Sequence, residues 1–189
     1  MYASSPTTVF TSSERYDTKS VVSLLSLGKF TKKAYVCNFA DINRTTFYAH
    51  YPDVRGVVEE IENDVIDKMM SILKAFQYSA FFKNPAPLLL QISRFLEADV
   101  DLYRQLITID SSDAFLDKLK KIFAEFMEND PDIPQYIREK SSFAIRVSYF
   151  TGGIVNAYKQ WLVGKLDCSL NDISMEVAAM ITDAEQIRG

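Results

Sequence analysis

Polar side chains cluster at the start of one short segment, NRTTFYAHY, which runs from residue 43 to residue 51. Asn43 is a residue type that caps helix N-termini well, so Arg44, Thr45 and Thr46 are predicted to project from the first turn of a helix. An arginine can read guanine through two hydrogen bonds, and a threonine methyl group can touch the methyl group of thymine. The residue types and their spacing therefore indicate contacts to the edges of DNA bases.

The same segment carries residues that can anchor such a helix. Ile42, Phe47 and Tyr51 can hold one face of it against a core. Pro52 ends it, because a proline inside a helix removes a backbone hydrogen bond and clashes with the preceding turn. A turn separates this helix from an earlier helical stretch over residues 32–39. Two short helices joined by a turn, with polar groups at the start of the second, are typical of a helix-turn-helix that reads the major groove.

Residues 40–51, ADINRTTFYAHY, resemble the helix-turn-helix of TetR-like transcriptional regulators. In that family the recognition helix ends in an aromatic residue, one spacer, a histidine and another aromatic residue, which here are Tyr48, Ala49, His50 and Tyr51. The resemblance implies that Tyr48 and His50 hold backbone phosphates, which fix the register of the protein on DNA while base contacts specify the sequence.

The resemblance implies a wider set of DNA-contacting residues. These are Lys32, Lys33, Asn43, Arg44, Thr45, Thr46, Tyr48, His50 and Arg55. Val54 replaces the lysine that usually opens the next, long helix, and Arg55 is expected to supply that phosphate contact from about 100° further round the helix. The stretch from Phe30 to Ile42 is also shorter than the family pattern. These two departures leave open an alternative, a TetR-like all-α interaction protein or co-regulator that has lost direct DNA binding.

Apolar residues recur at helical spacing through the rest of the chain. A long helix is predicted from Asp53 to about residue 78, and a nearly all-apolar one from residue 88 to residue 107. Further helices are predicted from Ser112, over residues 145–162, and from Asn171 or Asp172 onward. No strand is predicted anywhere, so the expected fold class is all-α.

The expected organisation is a flexible tail, a small head and a larger body. The tail covers residues 1–12, the three-helix helix-turn-helix domain covers residues 13–52, and the helical-bundle domain covers residues 53–189, with about nine helices in all. The basic and acidic residues support this division. Seven of the 21 basic residues but only four of the 25 acidic ones lie in residues 1–56. A mildly basic head on an acidic body fits a small DNA-binding domain attached to a second domain.

In the resembled family, the last two long helices form a four-helix dimer interface, here over about residues 140–165 and 170–187. The residues expected there are Phe150, Ile154, Tyr158, Trp161, Val177 and Ile181. The alternative for these residues is core packing within one chain. Gly152 and Gly153 each cost a helix about 1 kcal/mol relative to alanine, which suggests a close helix approach or a kink.

The body of such regulators often holds a ligand pocket, and ligand binding respaces the two heads. The aromatic residues expected to line it are Phe81, Phe95, Tyr103, Phe115, Phe126 and Tyr149. Ordinary core packing is the alternative for each of them. Any ligand would be a small hydrophobic or aromatic molecule, and the sequence leaves open which molecule it is and whether there is one.

An enzyme is not expected, because the single histidine lies in the DNA-reading motif and no catalytic motif or nucleotide-phosphate loop is present. Two distant cysteines form no zinc motif, so neither a metal nor a cofactor is expected. The acidic residues Glu59, Glu60, Glu62 and Asp64 are expected on a solvated helix face. The N-terminus lacks the parts of a signal peptide and no apolar run is long enough to span a membrane, so a soluble protein in a reducing cytoplasm is expected.

The function predicted is therefore a DNA-binding transcriptional regulator, most simply a repressor. A homodimer would read double-stranded DNA at a palindromic operator whose half-sites lie roughly 34–36 Å apart.

Overall fold

The computed structural model describes residues 54–108 and 112–186. Within these residues the secondary structure is helical, without strands. In chain order the helices are α1 (Val54–Lys74), α2 (Tyr78–Lys83), α3 (Ala86–Glu97), α4 (Val100–Thr108), α5 (Ser112–Glu128), α6 (Gln135–Arg138), α7 (Ser141–Leu162) and α8 (Leu170–Gln186). Seven of these have six residues or more and α6 is a single turn. The prediction of an all-α fold is confirmed for this part of the chain.

The chain divides into two compact units, Met1–Val58 and Glu59–Gly189. The three short helices, the tail and the domain boundary predicted at residue 53 fall on or next to residues 1–53, which lie outside the described residues, so they stay predictions. The structure described below is that of the second unit.

Helices α2 and α6 were not predicted, α7 begins at Ser141 rather than at residue 145, and three further differences concern α1, α4 and α8. The apolar stretch over residues 88–107 is two helices rather than one, because the chain turns at Ala98 and Asp99. The amide of Tyr103 donates to the backbone carbonyl of Asp99 at 3.3 Å, which begins the hydrogen bonding of the second helix. The first long helix ends at Lys74 instead of near residue 78. Its last turn tightens there, with the amide of Phe76 bonded to the carbonyl of Leu73 at 3.0 Å.

The third difference is at the start of α8, which begins at Leu170 with Ser169 as its cap. The hydroxyl of Ser169 accepts the amide hydrogen of Asp172 at 3.1 Å, and the Asp172 carboxylate accepts the Ser169 amide at 3.0 Å. This reciprocal pair is a capping box, which satisfies backbone donors that a helix start leaves free. Side-chain and backbone hydrogen bonds from Ser169 hold the pKa of Asp172 below its usual value.

The core of the second unit centres on α7 and α8. One stripe of α7 is buried at helical spacing, from Phe143 through Phe150 and Ile154 to Leu162. Helix α7 packs on α4 and α5, and α8 packs along α3. None of the described helices is long and apolar enough to cross a membrane.

One acidic residue expected in solvent is buried. Glu62 of α1 is only 5% exposed, and its carboxylate pairs with the ammonium group of Lys118 on α5 at 3.2 Å. The neighbouring acidic residues Glu59 and Glu60 are exposed as expected. The expectation was wrong for Glu62 because its position on α1 faces α5, where a lysine is available to pair with a buried carboxylate.

Candidate functional site

An apolar cavity of about 60 Å³ lies among α1, α3, α4, α5 and α7. Val65 lines it from α1, Phe95 from α3, Tyr103 from α4 and Phe115 from α5, while Val155 closes it from α7. Its walls are almost wholly hydrocarbon and aromatic. Such a space favours an apolar group over a polar one, because a polar group buried without a hydrogen-bond partner loses its hydration.

The cavity brings together three of the six aromatic residues predicted to line a pocket, Phe95, Tyr103 and Phe115. The ring centroids of Phe95 and Tyr103 lie 5.1 Å apart. The pocket role itself remains a prediction for each of them.

The other three aromatic residues lie elsewhere. Phe81 and Phe126 contact each other edge to face, with ring centroids 6.1 Å apart. Phe126 also lines a separate cleft of about 340 Å³ beside the C-terminal ends of α1 and α5. Tyr149 is 74% exposed on the outer side of α7. These placements follow from helical geometry, since aromatic residues on different faces of a helix meet different neighbours.

Most residues of the cavity lining were not among the predicted pocket residues, and these include Tyr158 and Lys159 of α7. Tyr158 had been assigned to the dimer interface, and Lys159 had been given no role. The spacing of Val155, Lys159 and Leu162, four and then three residues apart, would have placed the lysine on the same face as two apolar lining residues.

Three buried hydroxyl groups meet beside the cavity. They belong to Ser93 of α3, Tyr158 of α7 and Ser174 of α8, and we call them the hydroxyl cluster. The two serine oxygens lie 2.6 Å apart, and the Tyr158 hydroxyl lies 3.1 Å from Ser174. Tyr158 donates to the carbonyl of Leu89 at 3.1 Å, and Ser93 donates to the carbonyl of Leu170 at the same distance. The cluster therefore ties three helices together by hydrogen bonds that water does not reach.

Burial raises the pKa of both tyrosines that line the cavity. For Tyr103 burial acts first and the nearby Asp99 carboxylate adds to it, which raises the pKa to about 12 from 10.0. For Tyr158 burial raises the pKa, and hydrogen bonds from Ser174 and Ser93 oppose that rise. Both groups stay protonated and uncharged near neutral pH.

A second concave surface, which we call the α7/α8 groove, has a volume of about 830 Å³. Tyr149 and Gly153 contribute to it from α7, and Val177 and Met180 contribute from α8. Met180 is 60% exposed and Tyr149 is 74% exposed, so large apolar surface faces outward here. An exposed apolar patch of this kind marks an interaction surface.

The predicted dimer residues lie around this groove but not all on its surface. Phe150, Ile154, Val177 and Ile181 line it. Of these, Phe150, Ile154 and Ile181 are also buried within the unit. The predicted stripe is thus the inner side of the groove, because apolar spacing marks the most buried face of a helix. The interface role stays a prediction.

The remaining two predicted dimer residues point elsewhere. Tyr158 belongs to the hydroxyl cluster. Trp161 donates its indole hydrogen to the carbonyl of Cys168 at 2.8 Å, and the guanidinium of Arg104 lies over its ring, 5.6 Å from the centroid.

The paired glycines of α7 make no close helix contact within the described part of the chain. A Cβ atom placed on Gly152 or Gly153 would meet no atom within 4 Å. The expected close approach is therefore not made among the described residues, and Gly153 lies exposed in the α7/α8 groove.

Eight of the nine predicted DNA-contacting residues, Lys32 to His50, lie outside the described residues. Arg55 is in the first turn of α1 and is exposed. Their roles in DNA binding stay predictions.

Comparison with protein families finds that the chain resembles a family of transcriptional regulators. The model of the TetR C-terminal family, described as a transcriptional regulator C-terminal region, matches residues 83–183. The match covers more than half of the 189 residues and includes α3 to α7 and most of α8. Comparison with curated proteins gives no match.

Replacement of Tyr158 by phenylalanine tests the hydroxyl cluster. The variant leaves the Ser93 and Ser174 hydroxyls buried with one partner fewer, so we expect the free energy of unfolding to fall by about 1–3 kcal/mol. Urea denaturation measures the change. Tyr136→Phe, at a tyrosine of α6 that is 64% exposed, is the control and should change stability by less than about 0.5 kcal/mol. Equal stability of the two variants would contradict the structural role of the cluster.

Tyr103 makes the stability of the fold depend on alkaline pH. Because its pKa is raised in the folded chain, its contribution is complete below pH 10 and is lost as pH rises through about 12. Wild-type stability should therefore fall more steeply between pH 10 and 12 than that of Tyr103→Phe, measured by urea denaturation at each pH. If the free energies of unfolding of the two proteins instead fall in parallel with pH, the Tyr103 hydroxyl has the same pKa in the folded and unfolded chain, which would contradict this prediction.

Proposed function

Because the chain belongs to the TetR family of transcriptional regulators, we propose that it is a DNA-binding repressor that acts as a homodimer in the cytoplasm. The match of its body to a transcriptional regulator region carries this proposal. The helix-turn-helix pattern at residues 40–51 supports it independently, because that pattern lies outside the matched range.

DNA binding is assigned to the N-terminal residues. Arg44, Thr45 and Thr46 would read base edges in the major groove, while Tyr48 and His50 would hold phosphates. The basic balance of residues 1–56 would attract the DNA backbone, and the acidic body would be kept away from it.

Dimerisation is assigned to the α7/α8 groove. Its exposed apolar residues Tyr149 and Met180 lose water only when another surface covers them. The occupant we propose is the same groove of a second copy, since a two-fold interface brings one surface against itself. Gly153 and Ala157 in the groove are small, so a helix of the partner can approach α7 closely.

Ligand control is assigned to the apolar cavity. The ring of Tyr158 lines the cavity and its hydroxyl bonds to Ser174 of α8. A ligand that displaces this ring would shift α8 against α7, and these two helices form the groove between protomers. Ligand binding would thereby change the spacing of the two DNA-reading heads.

Arg44→Ala tests the DNA-reading assignment. We expect the variant to bind the preferred DNA fragment with about 10- to 100-fold lower affinity, because a base-reading arginine contributes about 1–3 kcal/mol of discrimination. Fragments selected from genomic DNA by the purified wild-type protein supply the ligand, and gel shift measures affinity. Arg94→Ala removes an equally charged, exposed side chain from α3 and should leave affinity within about twofold.

Two results would contradict this assignment. Equal affinity of Arg44→Ala and wild type would remove Arg44 from the DNA contact. Absence of binding by wild type to any fragment at low salt would favour the co-regulator that has lost DNA binding.

Met180→Glu tests the dimer. Met180 is exposed in one chain, so the substitution should leave the fold intact but bury an unpaired charge between two chains. We expect the dimer dissociation constant, from sedimentation or light scattering, to rise at least about 30-fold, the result of a loss near 2 kcal/mol at an interface centre.

Met175→Glu is the control for this substitution. Met175 lies on the same helix and is 49% exposed, but it is about 140° further round and outside the groove. It should leave the dimer unchanged. Equal dimer dissociation constants for Met180→Glu and Met175→Glu would place the interface elsewhere.

A further inference from the structure

The cavity carries one charged residue among its described lining residues, Lys159. Its side chain is 32% exposed, so part of the hydrocarbon stem lies in the cavity wall while the ammonium group reaches toward solvent. This places a positive charge at the edge of an otherwise apolar space.

The partner of this ammonium group is weakly held. Asp113, at the start of α5, lies 3.8 Å from the Lys159 nitrogen, and its side chain is 92% exposed. An ion pair that long, with one member almost fully in water, contributes little and exchanges readily. An incoming carboxylate can therefore take the place of Asp113 without leaving a buried charge behind.

The volume of the cavity limits the size of the group inside it. The volume of about 60 Å³ is small, so it limits the group inside it to a short carbon chain. The aromatic and aliphatic walls favour carbon over polar atoms.

We propose that the cavity binds a short-chain monocarboxylate, with its apolar tail among the aromatic residues and the carboxylate paired with Lys159. This proposal rests on the proposed function, since it names the ligand of the regulator's cavity. The carboxylate forms a charge-assisted hydrogen bond with the ammonium group and displaces Asp113.

Isothermal titration of the full chain with hexanoate tests the proposal directly. Affinity should rise about fourfold per methylene group from butyrate to hexanoate, because each buried methylene contributes about 0.8 kcal/mol. It should stop rising for longer acids once the cavity is full. Neutral hexanamide should bind about tenfold more weakly than hexanoate, because it lacks the charged bond.

Variants at the ion pair locate the carboxylate. Lys159→Met keeps the hydrocarbon stem and should weaken hexanoate about tenfold while leaving hexanamide unchanged. Asp113→Asn removes the competing carboxylate and should tighten hexanoate binding. Lys121→Met, at an exposed lysine paired with Glu125 on α5, is the matched control and should bind like wild type.

Three results would overturn the proposal: affinity independent of chain length, equal binding of hexanoate and hexanamide, or wild-type binding by Lys159→Met. These titrations contain no DNA. A negative result in these titrations therefore does not bear on the proposal of DNA binding. A negative result in the DNA-binding assay likewise does not affect how these titrations are interpreted.

Discussion

The hydroxyl cluster is the constraint on which both surfaces of the body depend. Buried hydroxyl groups must find partners, and those of Ser93, Tyr158 and Ser174 bond to one another where α3, α7 and α8 meet. Because Tyr158 must face that point, the rotation of α7 about its own axis is fixed. Its neighbour Lys159 then lies beside the cavity. Tyr149, nine residues before Tyr158, lies about 180° from Tyr158 around the helix, on the groove.

Helix α7 therefore serves two surfaces at once. One side closes the apolar cavity with Val155 and Tyr158, and the other forms the groove with Tyr149 and Gly153. Helix α8 completes the groove and reaches the cluster through Ser174. A change in the cavity can thus reach the groove through one tyrosine and one hydrogen-bonded helix, with no other element required. This is a physical route for ligand control in the proposed regulator.

Much of this architecture could be predicted from the sequence. Apolar spacing predicted most of the described helices but not α2 or α6, and three of the predicted aromatic residues share the cavity. Spacing could not show the turn at Ala98 and Asp99, because the apolar residues continue across it. It could not show that Glu62 is buried, since its partner Lys118 is distant in sequence. It also identified the buried side of α7 more readily than the exposed side, where Tyr149 and Met180 lie.

We propose that two copies of this chain act together on DNA. Native mass spectrometry of the protein with the DNA fragment it selects most strongly measures the number of chains on each duplex. We expect a complex of two chains on one duplex, with the selected fragment carrying a palindrome whose half-sites lie about one helical turn apart. A complex of one chain per duplex, or no complex with any fragment, would contradict it.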